Sequence, residues 1–538
     1  MSLKPMRVPV RQASRISLIF AVSLVSADAL QIRTYSAARH DRFTGFPGTP
    51  VVNGATWFDG SQHSGVGWVV SEPNRQLALI SPRYVITANH YPLTAGTQIR
   101  FVSTSGSLVT ATVDSTTAII KGGIPTDLLV GRLTAPITGV GVNPLPYLNL
   151  PLQTHYVTTD QQVFGFNPTG GNHPVVGYGV INDFDDFSFF GTTTRMSYFF
   201  HLDVGGSTDD CFFTGGDSGS PSLATTRNGP AMVGTHSLVG DEAGFHFSID
   251  SHIPHYITEI NTILAADVEA MTPVFTDPTP LVLTGATTPD PFRHAAAGTA
   301  TFTFENQGVT DALNPSVTLT FPSGAAPTTV TASGWVNDVA GPLVWTYHRA
   351  SLAAAATTDF VASWSSVPAI STLPVSIRHI SDGSPQQTSE YDLEPTVSYA
   401  AWSAGLAQPG TGDDPDGDGK TNLVEYAFGS SPTSGSTALS PTVVAGTVIT
   451  TSGGIATLKF PVRSDSQVRG LSYVLEFSNN LTSWTEPQPI GTTATFASYS
   501  PAITGVKNRI VTFPANEARK FVRVRVTLDE SAPGMAVP

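Results

Sequence analysis

The chain runs to 538 residues, too many for one hydrophobic core, and at about 150 residues per domain it should hold three or four units. Only 13% of its residues are charged, against roughly 25% in an average soluble protein, whereas 49 are glycine and 41 proline, a composition that favours strands and turns over helices. A net charge of −14, with Lys and Arg clustered only at the extreme N-terminus, argues against nucleic acid and anionic membrane surfaces as partners.

Lys4, Arg7, Arg11 and Arg15 lead into an apolar run from Ile16 to Val25 and then Ala27-Asp28-Ala29, the small-x-small pattern of a signal peptidase site. Residues 1–29 are therefore expected to be a signal peptide cut after Ala29, which makes the mature protein secreted. No later segment approaches the roughly 20 apolar residues of a membrane span. The single cysteine, Cys211, leaves no internal disulfide and points to a bacterial exporter whose cores stand without cross-links.

From about 43 to 262 short Val/Ile/Leu/Phe runs alternate with Gly, Pro and Asn, as in a barrel or sandwich of many strands; Leu77 to Ile80, Tyr84 to Ala88, Leu128 to Leu133 and Met232 to His236 are examples. Ile253, Ile257, Ile260 and Leu264 recur at helical spacing, so a C-terminal helix should close this unit, taken as 30–264. Residues 265–297, with Asp277-Pro278-Thr279-Pro280 and Pro289-Asp290-Pro291, read as a linker. Period-two alternation in Thr299 to Phe304 and Ser316 to Phe321 predicts a β-sandwich over 298–395. A short helix around Tyr399 to Leu406 and an acidic, Gly-rich loop fill 396–433. Alternation resumes in Tyr473 to Phe477 and Phe521 to Val526, so 434–538 is expected to be a second small sandwich.

Three segments carry chemistry, and their order matters more than any one alone. Ser81 to His90 is a strand ending in a histidine, Thr126 to Leu133 an apolar strand headed by Asp127, and Gly215-Gly216-Asp217-Ser218-Gly219-Ser220-Pro221 a glycine-rich loop around a serine. A serine hydroxyl becomes a nucleophile when an imidazole takes its proton, and a carboxylate on the other ring nitrogen holds the tautomer. Together the segments resemble the chymotrypsin-like serine proteases, with their Thr-Ala-x-His, Asp-Leu-x-Leu type and Gly-Asp-Ser-Gly-x-Pro motifs, over about 220 residues. Asn89, Tyr91 and Ser220 depart from the usual pattern without removing a catalytic atom.

The resemblance implies a chymotrypsin-like double β-barrel, and with the two small β-sandwich domains read from alternation behind it the chain is expected to be mainly β. It implies a secreted serine endopeptidase with His90, Asp127 and Ser218 as triad and the N–H groups of Gly216 and Ser218 as oxyanion hole, acting on protein or peptide substrates with no cofactor for catalysis. The family's primary pocket maps onto Phe212, His236, Ser237 and Val239, with Leu238 between the last two. Phe212 in place of an aspartate disfavours Lys and Arg, and branched Leu238 and Val239 favour cleavage after small apolar residues. A histidine like His236 receives the substrate carboxylate in glutamyl endopeptidases, which keeps glutamyl specificity as the alternative. Val51-Val52-Asn53-Gly54 resembles the family's activated N-terminus, whose ammonium pairs with the aspartate matching Asp217; an ordinary strand is the other reading.

Residues 414–425, Asp-Pro-Asp-Gly-Asp-Gly-Lys-Thr-Asn-Leu-Val-Glu, match the EF-hand loop pattern at every position. Asp414, Asp416, Asp418, the Lys420 carbonyl, Asn422 and a bidentate Glu425 would hold a structural calcium ion; a solvated acidic turn is the plainer reading. The interrupting Pro409, Gly410 and Gly412 make it resemble the single loops of dockerins. The sandwiches resemble modules that attach secreted hydrolases to a cell surface or polymer, so a non-catalytic calcium-binding surface or adhesion protein stays open, as does ester hydrolysis. Retention of all three triad residue types favours the peptidase.

Overall fold

The computed structural model describes residues 2–3 and 30–529 apart from internal stretches, the longest being 168–172, 202–206, 369–372, 435–447, 485–492, 499–505 and 515–520. The expected signal segment therefore lies almost wholly outside the described residues. The chain is mainly β, and no described helix is long and apolar enough to cross a membrane.

Six antiparallel strands, β1 (Val66–Val69), β2 (Glu72–Ser81), β3 (Tyr84–Ala88), β4 (Gln98–Val102), β5 (Leu108–Lys121) and β6 (Ile124–Leu133), close into a barrel in the order β6-β3-β2-β1-β4-β5. β1 and β3 carry continuous apolar runs because both of their faces are buried. Leu77, Leu79, Val85, Leu129 and Leu133 fill the barrel interior. Their neighbours Ala78, Ile80, Tyr84, Ile86, Leu128 and Val130 point the other way, into a core shared with Phe164, Leu223, Met232, Ile253, Tyr256, Ile260 and Leu264.

That second core belongs to a seven-stranded sheet made by β7 (Asp160–Asn167), β8 (His173–Val180), β9 (Asp183–Phe189), β10 (Thr192–His201), β11 (Pro221–Ala224), β12 (Ala231–Glu242) and β13 (Phe245–His252), ordered β8-β7-β11-β12-β13-β10-β9. A 3-10 turn, Ile253–Tyr256, leads into helix α1 (Ile257–Leu264). The predicted helical spacing is realised by Ile260 and Leu264, which are wholly buried between the two units.

The stretch read as a linker is not open chain. Val274 donates its N–H to Tyr147 O at 3.0 Å, Met271 and Phe275 are buried, and Leu281–Thr287 is a strand pairing with Gly298–Asn306. A register shift between Leu283 and Gly285 breaks the period-two alternation that would have revealed this strand in the sequence.

Two sheets follow. Leu281–Thr287, Gly298–Asn306, Thr357–Trp364 and Thr329–Ala332 neighbour one another in one; Val336–Val339, Val344–His348, Ser316–Thr320, Leu373–Ser381 and Ser384–Leu393 form the other, in that order. Phe302, Phe304, Val317, Leu319, Phe360 and Ile377 meet in one core between them, as the alternating pattern requires. Helices α2 (Tyr399–Ser403) and α3 (Asn422–Phe428) then join a third core, built on Ile455–Arg463, Leu471–Ser478, Val506–Pro514 and Phe521–Leu528.

Candidate active site

β3 is buried along its whole length and delivers His90 two residues beyond its end. β6 runs antiparallel beside it with Leu128 opposite Ala88, which brings Asp127 alongside Asn89, whose N–H reaches Asp127 O at 3.3 Å. The separation of 37 between the histidine and the aspartate is thus spent on β4 and β5, and pairing of β3 with β6 closes the gap. Asp127 Oδ2 lies 2.8 Å from His90 Nδ1, and Oδ1 accepts the His90 backbone N–H at 2.8 Å. On the other side of the ring, Nε2 is 2.8 Å from Ser218 Oγ. The aspartate side chain is 1% exposed and the histidine 25%, so one end of the line is dry and the other opens to solvent.

Two partners of this line have no sequence signature. Ser237, expected in the pocket wall, donates its hydroxyl to Asp127 Oδ2, and the Asp127 N–H donates to Thr194 Oγ1 at 2.8 Å. The Asp127 carboxylate therefore accepts three hydrogen bonds, from the His90 backbone N–H, His90 Nδ1–H and the Ser237 hydroxyl.

The serine loop is pinned by Gly219 N–H to His236 O at 2.9 Å and Ser220 N–H to Asp217 O at 3.0 Å. Gly219 has φ +86°, and a Cβ there would lie 2.1 Å from Thr87 Oγ1, so only glycine lets the loop approach the strand that carries His90. Gly216 takes φ +113°, and neither its N–H nor that of Ser218 has a protein acceptor among the described residues.

Asp217 is buried at 1% exposure. Its carboxylate accepts the N–H groups of Phe166 and Thr214, each at 3.1 Å, and that of Leu30; burial nonetheless pushes its pKa up to about 7. Leu30 is itself buried, and Gln31–Ile32 pairs with Cys211–Phe212, which fastens the start of the described chain beneath the serine loop. Gly165 makes room: a Cβ there would meet Leu30 Cβ at 2.5 Å and Asp217 Oδ1 at 2.7 Å. Val51, which the activation reading would bring to this place, pairs with Thr44 in a two-residue strand and is 61% exposed, as the ordinary-strand reading has it.

Of the expected pocket residues, Phe212 is half-buried and Val239 half exposed. His236 is 1% exposed, stacked under Phe213 at a centroid distance of 3.7 Å, with Nε2 3.2 Å from Ser222 Oγ and its pKa driven well below the usual range by burial. A ring so covered presents no nitrogen to a substrate carboxylate. Cys211 is buried, its Sγ 3.3 Å from Tyr178 O.

In the acidic loop, Asp414, Asp416 and Asp418 converge with ligand oxygens all within 4.8 Å of one another. Lys420 does not point outward: its ammonium pairs with Asp418 Oδ2, the two side chains 6% and 2% exposed. Asn422 uses its amide nitrogen on Gln408 O at 2.7 Å and Gly410 O at 2.9 Å, while its Oδ1 is buried without a hydrogen-bond partner. Glu425 is wholly buried, and neither carboxylate oxygen has a hydrogen-bond partner. Burial, then Asp416 and Asp418, push its pKa up to about 7.

No protein-family profile matches the chain, and no curated protein matches it. Among solved structures, the secreted serine protease VesC from Vibrio cholerae aligns at 11% identity and TM-score 0.27, over 86% of this chain and 96% of its own. Human heparin-binding protein aligns at 17% identity and TM-score 0.29 over 40% and 96%, and neuropsin, a serine protease expressed in mouse brain, at 17% and 0.29 over 38% and 96%. Overlaps of this size carry no argument about any residue. The fold is a mainly β, chymotrypsin-like double β-barrel with sandwich units behind it. It is read from the closed six-stranded barrel, the seven-stranded second sheet and the helix packed between them.

Proposed function

We propose that the chain is a secreted serine endopeptidase working through an acyl-enzyme intermediate. The observation that carries this reading is the unbroken line from Asp127 through His90 to Ser218, with hydrogen-bond distances at both ring nitrogens. The Asp127 carboxylate accepts from Nδ1–H, which leaves Nε2 free to take the Ser218 proton as Oγ attacks the scissile carbonyl carbon. The uncommitted N–H groups of Gly216 and Ser218 receive the oxyanion, each worth roughly 3 to 4 kcal/mol in comparable sites. His90 then hands its proton to the leaving amine, and water releases the acyl group by the same relay. The half-exposed Val239 beside Leu238, and the sealing of His236 under Phe213, favour cleavage after small apolar residues over cleavage after Glu.

The same reading joins export to activation. Removal of residues 1–29 turns the Leu30 amide, already at the buried Asp217 carboxylate, into an ammonium, so signal peptide removal and ordering of the serine loop become one event.

The test is fluorophosphonate labelling of the chain beginning at Leu30, followed by mapping of cut bonds in a peptide library. Labelling confined to Ser218, and a fall in kcat/KM of about 10⁴-fold or more in Ser218→Ala, are expected. Unlabelled wild-type protein would sink the peptidase reading, and cuts mainly after Glu would overturn the specificity.

A further inference from the structure

The acidic loop 414–425 does not serve the triad, yet two features set it apart from a solvated turn. The first is Glu425, wholly buried with both oxygens unpartnered, beside an equally unpartnered Asp416 Oδ2; an uncompensated buried carboxylate pair is costly unless a cation is close. The second is Lys420. In an EF-hand loop the seventh residue contributes its carbonyl, leaving its side chain no part in the site, whereas here the ammonium is folded inward onto Asp418.

We propose that this loop is a calcium site guarded by its own lysine, in which Lys420 neutralises Asp418 while the metal is absent and calcium displaces it. Asp414, Asp416 and Asp418 supply the near side of the site and Glu425 the far side, a hard all-oxygen donor set that suits calcium over transition metals. Gly417 and Gly419, at φ +71° and +85°, allow the loop to wrap the ion. Glu425 lies within α3, whose next residues Tyr426, Ala427 and Phe428 are in the C-terminal core with Phe460, Tyr473 and Phe513. Tyr473 Oη and Arg463 Nε hold the Ala427 and Tyr426 carbonyls. Drawing Glu425 onto the ion therefore fixes α3 against the sheets of the C-terminal unit, and the joint between the two rear units becomes calcium-dependent.

The experiment is calorimetric titration of calcium chloride into the metal-stripped full chain, with magnesium chloride as control and thermal unfolding alongside. Calcium-specific binding with Kd on the order of 10⁻⁵ to 10⁻³ M is expected, weakened about 100-fold in Glu425→Gln and tightened about 10-fold in Lys420→Met. Lys420→Met should also lower the melting temperature of the metal-free protein and enlarge the rise that calcium gives. If Glu425→Gln does not fold, Asp416→Asn serves in its place. Absence of calcium heat, or wild-type affinity in both carboxylate variants, would overturn the site. Unchanged or weaker affinity in Lys420→Met would overturn the guard. Fluorophosphonate labelling of Ser218, unchanged in all variants, separates failure here from failure of the peptidase reading.

Discussion

Asp250 lies on β13 opposite His236, its carboxylate wholly buried with His236 Nε2 3.8 Å away, and burial raises its pKa to about 8 against a smaller lowering by the Ser222 hydroxyl. An unfolded aspartate titrates near 3.9, so from about pH 4 to pH 8 the folded chain holds a proton that the unfolded chain has released. Stability must therefore fall as pH rises through that window. Asp250→Asn, which mimics the protonated acid, should flatten the slope and be more stable than the wild type at pH 8 by ~2 kcal/mol; urea unfolding at about pH 5 and pH 8 checks this, and parallel slopes would refute it. This residue carries no sequence signal, since its role depends on a cross-strand neighbour. His90, Asp127 and Ser218 were legible because each sits in a local motif beside a strand or glycine turn. Ser237 was legible as a position and not as a role: its hydroxyl turns from the substrate side to Asp127.

The N-terminal strand shows why short elements escape a sequence reading. Gln31–Ile32 has only two residues, too few for any periodicity, and its place is set by Leu30 entering the cavity beside Gly165 and Asp217. Leu281–Thr287 was hidden differently, by prolines ahead of it and a bulge within it, whereas Gly298–Asn306 alternates cleanly and was read correctly. If Leu30 carries the activating amine, chain retaining Ala29 and residues before it should lose activity on the order of 100-fold while keeping its fold. N-terminal sequencing beside active-site titration decides, and full activity with the extension in place would remove this role from Leu30.

At the scale of the whole molecule, the first sandwich adds its edge strand to the surface of the seven-stranded sheet unit. Ser384–Leu393 ends its sheet, and its backbone turns to the N-terminal unit: Gln386 N–H donates to Thr225 O and Thr388 N–H to Thr158 O, at 2.8 and 2.9 Å. Gln387, buried, donates to His155 O and Val157 O, and Gln386 and Thr388 both reach the buried Asp160 carboxylate. Covering an edge in this way prevents it from recruiting another chain. Gln387→Ala, which strands two buried carbonyls, should cost about 1–3 kcal/mol and split thermal unfolding into two transitions; a single unshifted calorimetric peak would count against it. The lone thiol gains a use from the same architecture. Cys211 pairs with Ile32 in the two-residue strand that follows Leu30 and is buried in one cluster with both residues, so lifting of that strand is expected to open a way to the thiol for an alkylating reagent. The rate of its modification is then a clock for how often the N-terminus leaves its socket, read from one sulfur with no other cysteine in the chain to confuse the count.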